Sequence, residues 1–274
     1  MDRTEPRRKP NHESIPNILS PNQPCMEALN TIAFALVIVM NALAVLLPLG
    51  GKTTKELSGQ YPLLLTPPGY VFSIWSLIYL LLAGFIVYQW TPQGSSRSSV
   101  RSIGFWLVLN GLANSAWIVA WHYEHVGLSV LIMLILLASL IVLYAKTQRP
   151  SSSAAAGEQL LVQLPFSIYM GWISVATIVN VSAWLYSLDW DGFGWGDQAW
   201  ALIGLAAAAL LGLTVGWFFR DPYYELVLVW AFIGIAGKDA QPAAVSTAAW
   251  VLAALLAAWA VLQAVRRYRF HSLK

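Results

Sequence analysis

The sequence predicts an all-α polytopic membrane protein with eight transmembrane helices, and three observations carry that reading. Only 11% of the 274 residues are charged and 58% are hydrophobic, against about 25% charged in a soluble domain. The apolar residues come in runs of roughly 20, the length that crosses a hydrocarbon core of about 30 Å. These runs lack the period-2 alternation of barrel strands, and only helices or closed barrels satisfy the backbone inside lipid.

Residues 1–28 are polar and basic and contain five prolines, so they read as a flexible tail. A cleaved leader is not expected. The first apolar run, TIAFALVIVMNALAVLLPL, is 19 residues long, longer than a usual signal-peptide core. Helices are expected at 29–49, 69–89, 102–121, 126–145, 160–186, 196–219, 222–237 and 244–265. The seventh is short and carries Glu225. An intramembrane acid is by default a proton or substrate site, but Glu225 lies so near the helix start that snorkelling to the interface is an equal expectation.

Lys and Arg decide the count. With eight helices, thirteen of them collect on one side and three on the other. The positive-inside rule then places both termini in the cytoplasm and loop 187–195, with Asp189 and Asp191, outside. Seven helices would leave the basic 266–274 segment outside. No internal repeat supports an inverted-repeat transporter.

Several function classes drop out. The single cysteine, Cys25, excludes an internal disulfide and a Cys-based zinc site. No basic stripe with interleaved aromatics points to nucleic acid. No nucleophile-base pair or phosphate-cradling glycine loop is present. His122, Glu124 and His125 sit on a tight outer turn, a pattern more often solvated than metal-bound. Val142, Tyr144 and Lys146 fit a sterol pattern too loose to carry weight. No cofactor is implied.

Three helices carry aromatic-amide stripes. In TPPGYVFSIW, Pro67 and Pro68 suit the start of a helix, where a missing N–H costs nothing. Phe72, Trp75 and Tyr79 follow Pro68 at +4, +7 and +11, on one face. Trp75 falls on the order of 10 Å below the start, deeper than the interfacial belt where lipid-facing tryptophans sit. In the third helix Asn110, Asn114, Trp117 and Trp121 share a face, and in the fifth Tyr169, Trp172, Ala176 and Asn180 do. An amide in lipid needs a partner, so these stripes are expected to face the bundle interior. Packing and ligand contact are equally open for each. Trp90, Trp184, Trp190, Trp195 and Trp217 lie near segment ends and read as interfacial anchors.

TPPGYVFSIWSLIY resembles the W-x-P-P-x-W-V-F-x-x-x-W-x-x-L-Y signature of the TspO family, the tryptophan-rich sensory proteins. ANSAWIVAW resembles that family's L-N-x-x-W-x-x-x-F segment, and SIYMGWISVATIVN its P-Y-x-x-W-x-x-F-A-x-x-L-N segment. The motifs fall within residues 29–187. Tyr70 stands where the family has a tryptophan, and Ile132 near a common acid. The resemblance implies a TspO-like five-helix bundle over 29–187, followed by about three additional helices over 188–265.

It also implies a pocket capped by the first loop that takes a porphyrin-like or sterol-like hydrophobic small molecule. The positions carried over are Trp75, Asn114, Trp117, Trp172 and Asn180, with Trp121 in place of a phenylalanine. Phe72, Tyr79, Tyr169 and Ala176 share their faces, and Pro67 and Pro68 belong to the capping loop. The expected function is ligand binding or sensing in a bacterial plasma membrane. Some bacterial members promote light-dependent porphyrin breakdown, so turnover stays open, as do transport and a ligand-free scaffold. The alanine-rich sixth and eighth helices allow close packing within the chain or in a homo-oligomer.

Overall fold

The computed structural model describes residues 23–47, 49–148 and 156–272. Most of the tail expected over 1–28 lies outside them. All eight predicted segments are helical: α1 (Gln23–Leu46), α2 (Ile74–Gln89), α3 (Trp106–His122), α4 (Val126–Thr147), α5 (Leu164–Ser187), α6 (Asp197–Phe219), α7 (Pro222–Ala236) and α8 (Ala243–Ser272). No strand occurs among the described residues. Among the described residues, six helical stretches are long and apolar enough to cross a membrane. The other two, α3 and α7, have 17 and 15 residues.

Local chemistry sets the helix ends. Pro68 does not open an α-helix directly. It caps a 3₁₀ turn, Gly69–Ser73, that runs into α2. α5 is entered through a π turn, Gln159–Gln163, and Pro165 follows in its first turn, where its missing N–H is tolerated. Arg220, with φ of 52°, ends α6 in the left-handed region. The Asp221 side chain then accepts the Tyr223 N–H and starts α7. α1 begins at Gln23, six residues before the first apolar segment. Its polar first turns dock on the loop after α2, with Gln23 donating to the Ser95 carbonyl at 2.6 Å.

Five helices close a ring. α1 touches α2 and α3, α3 touches α4, α4 touches α5, and α5 returns to α2. α6, α7 and α8 pack on one another, and α7 lies along α5. That contact is close because of Gly171, where a Cβ would stand 2.9 Å from the Val227 Cβ and 3.1 Å from the Tyr224 carbonyl oxygen. Two buried tyrosines also fasten the last three helices to the ring. Tyr224 of α7 donates to the Ser174 hydroxyl of α5 at 2.9 Å, and Tyr144 of α4 donates to Asp221 at 2.8 Å. Tyr144 is therefore turned inward and is not available to a sterol in the bilayer.

The loops sort to two ends. At one end, Lys52 pairs with Glu124 at 2.7 Å, His122 meets Thr54, and Lys238 and Gln241 reach the first loop. At the other, Ser99 and Arg97 meet Glu158, and Gln148 meets Gln163 and Ser167. This is the pattern of antiparallel neighbours joined by short connections.

Gly171→Val should push α7 off α5. Overpacking of this kind costs about 1–3 kcal/mol, so thermal unfolding in detergent, followed by circular dichroism, should shift down by several degrees. An unchanged midpoint would mean that the seam is not close-packed.

Candidate functional site

The interior of the five-helix ring carries two aromatic walls. On the first, Trp75 stacks on Tyr79 with centroids 5.4 Å apart and packs edge-on against Tyr169 and Trp172 at 5.9 and 6.3 Å. Phe72 meets Trp172 edge-on at 5.7 Å. On the second, Trp117 stacks on Trp121 at 5.8 Å, and Tyr61 of the first loop sits 5.7 Å beyond Trp121. Offset and edge-on arrangements at these distances are the preferred geometries for aromatic pairs.

Amides join the walls. Asn114 donates to the Tyr169 hydroxyl at 3.0 Å and accepts from Asn41 of α1 at 2.9 Å. Asn180 accepts from the Trp117 indole at 3.0 Å and donates to the Ser129 hydroxyl at 3.0 Å. The stripe on α3 divides here. Asn110 turns away from Tyr169 and donates to Ser139 of α4 at 3.0 Å, tying two helices together. Ala176 packs at the edge of the core without a polar role. Three donors on the walls are buried with no partner among the described residues: the Tyr79 hydroxyl and the indole N–H groups of Trp121 and Trp172.

The first loop covers one end of the ring, and the last three helices hold it there. Lys238, in the α7–α8 turn, donates to the Leu63 carbonyl at 2.9 Å, and Gln241 donates to the Leu64 carbonyl at 2.9 Å. The Trp230 indole of α7 donates to the Val71 carbonyl at 3.1 Å. Gly234 of α7 lies against Pro67, Pro68 and Val71, where a Cβ would collide with the Val71 side chain. Gly204 of α6 receives Leu65 in the same way. Tyr70 turns out to pack edge-on against Trp230 at 5.8 Å. Burial and the nearby Glu124 push the Tyr61 phenol up, against the opposing pull of Lys52. Burial pulls the Lys238 ammonium below its ordinary value.

The HYEH turn serves the same cap. The Ile118 carbonyl can only accept, so His122 Nδ1 donates to it at 2.8 Å, and Nε2 then faces the Thr54 hydroxyl at 3.3 Å. Among the described residues no three His, Cys, Asp or Glu side chains gather as a metal site. Glu225 does not snorkel. It is fully buried between helices, with its carboxylate against Gly216 and close to the Trp259 indole. Of the five tryptophans read as anchors, Trp90, Trp195 and Trp217 are more than half exposed, whereas Trp184 and Trp190 are part-buried, Trp184 against the core.

The sequence reading named every aromatic of both walls except Tyr61. It missed Asn41, Ser129, Trp230, Lys238 and Gln241. Asn41 could have been found as an amide alone in an apolar run. The others carry no local signal, because their partners lie on distant segments.

An all-α bundle with an aromatic interior, closed by a loop and embedded through long apolar helices, defines an integral membrane protein with a candidate intramembrane binding site. The chain matches the family described as TSPO-like protein over residues 27–262, and it belongs to that family. The match runs through α6, α7 and α8, beyond the stretch that carries the three motifs. Comparisons with curated proteins and with solved structures give no match.

Asn180→Ala removes the acceptor of the Trp117 indole. Hydrogen bonds between membrane helices are worth about 0.6–1.7 kcal/mol, so the variant should unfold in detergent with a loss near 1 kcal/mol. Ser129→Ala, which leaves the Trp117 bond in place, should lose less. Equal losses would mean that the Trp117 bond adds nothing.

Proposed function

We propose that the protein is a ligand-binding membrane protein whose site is the space between the two aromatic walls, and that the ligand is planar and largely apolar. The observation that carries this reading is the set of three buried, unpartnered donors on the walls, Tyr79, Trp121 and Trp172. A buried donor left unpaired costs about 1–3 kcal/mol, and acceptors on a bound molecule would offset that cost. Flat indole and phenol faces suit a flat ring system by stacking and area burial. Porphyrins meet both conditions, carrying a wide aromatic face and acceptor atoms.

In this reading Phe72, Trp75, Tyr79, Tyr169 and Trp172 form one side of the site and Trp117 and Trp121 the other. Asn114 and Asn180 set the ring orientations, and Pro67 and Pro68 stiffen the cap. Handling or sensing of the ligand fits better than transport. Transporters keep charge and broken helices at the membrane midplane, whereas the walls carry neutral groups only. The distribution of Lys and Arg supports cytoplasmic termini, with the capped end of the ring then on the opposite side.

Titration of the purified protein in detergent with protoporphyrin, read by tryptophan quenching and the Soret band, tests the reading. Binding should saturate, and Trp75→Phe and Trp172→Phe should each weaken it about tenfold. That is the size expected for losing part of one stacked aromatic contact and, for Trp172, a donor. Saturable binding unchanged in both variants would place the ligand elsewhere. Illumination of the same samples would show whether bound porphyrin is consumed, and whether that depends on the two tryptophans.

A further inference from the structure

A cleft of about 440 Å³ opens beneath the first loop, lined by Tyr61, Thr66, Pro67, Pro68, Phe72 and Lys238 among others. Two of these rings are the outermost members of the walls. Tyr61 touches Trp121, and Phe72 touches Trp172. The cleft therefore borders the outer end of both walls, and we call it the mouth. Its chemistry differs from the walls in one respect. Lys238 is the one basic side chain among the described residues lining it.

Lys238 is also under-used. Its ammonium has three donors, and one bond is found for it, to the Leu63 carbonyl at 2.9 Å. It takes part in no ion pair found among the described residues. Thr66 lines the same cleft, and its hydroxyl is buried with no partner among the described residues, Thr66 being only 7% exposed. A half-buried cation and a residue with an orphaned hydroxyl, both lining one cleft, make a place for an anion, since charge-assisted hydrogen bonds are the strong ones.

We propose that Lys238 and Thr66 form a carboxylate-recognising subsite at the mouth, so that the ligand is a flat apolar molecule bearing a carboxylate on one edge. The inference rests on the reading of the ring interior as the binding site. The apolar body lies between the walls and the acid projects into the cleft. Lys238 contributes its ammonium from the α7–α8 turn, so the last three helices supply part of the site as well as the cap.

The test uses the full chain in detergent with two probes, protoporphyrin and its dimethyl ester, which share a ring and differ in charge. The wild type should bind the acid more tightly than the ester. Lys238→Gln should weaken the acid about tenfold, the size of one charge-assisted hydrogen bond, and change the ester less than about twofold. Lys238→Arg keeps the charge and should keep the preference. Thr66→Val should weaken the acid by a few-fold and spare the ester. Gln241→Ala loosens the same loop without removing charge and should shift both probes alike.

Equal losses of acid and ester in Lys238→Gln would assign Lys238 to loop anchoring and overturn the subsite while leaving the ring reading intact. Equal wild-type affinity for the two probes would do the same without any variant. Failure of the wild type to bind either probe would overturn the ring reading and the subsite with it.

Discussion

Inside a bilayer no water completes the hydrogen bonding of an amide, an indole or a phenol, and the protein must supply each partner itself. The ring of α1–α5 is organised by that constraint. Asn41, Asn114 and Tyr169 form a chain across three helices. Ser129, Asn180 and Trp117 form another. Each chain fixes the rotation of its helices, and the rotation sets which aromatic faces look inward. The aromatic contacts, of similar individual size, then fill the faces that these bonds orient.

Against that background the unpaired groups stand out. Most buried amides of the ring are satisfied, yet three donors of the walls are not. The same contrast recurs at the mouth, where most of the loop is tied down by carbonyl acceptors while the Thr66 hydroxyl has none. Other buried atoms without a partner among the described residues lie away from the walls, on Gln23 and Asn30 of α1 and on Glu225, Trp259 and Gln263 of the last three helices. Glu225 sits against Gly216, with the Trp259 indole close by.

Much of this was legible in the sequence for a physical reason. Lipid forces helices to be long and apolar, so six of the eight helices announce themselves, and the costly amides at helical spacing disclose which faces turn inward. The stripes Phe72–Trp75–Tyr79 and Tyr169–Trp172 needed only the 3.6-residue period. Asn110 shows the limit. Periodicity places it with Asn114, but one turn of helix separates a face seen by Tyr169 from one seen by Ser139. The cap was not legible at all. The contacts of Lys238, Gln241 and Trp230 are with backbone carbonyls some 160 to 180 residues earlier, and a carbonyl leaves no trace in the residue type that carries it.

The tethering of the first loop has a consequence for how the molecule is made. A chain emerges from the ribosome with its N-terminal segments first, and the five helices of the ring precede the three that hold the loop down. Until α7 and the turn after it are in place, Leu63, Leu64 and Val71 have no donors from Lys238, Gln241 and Trp230, and the mouth stays unlatched. The contacts that hold the first loop are thus among the last that the chain can make as it is synthesised.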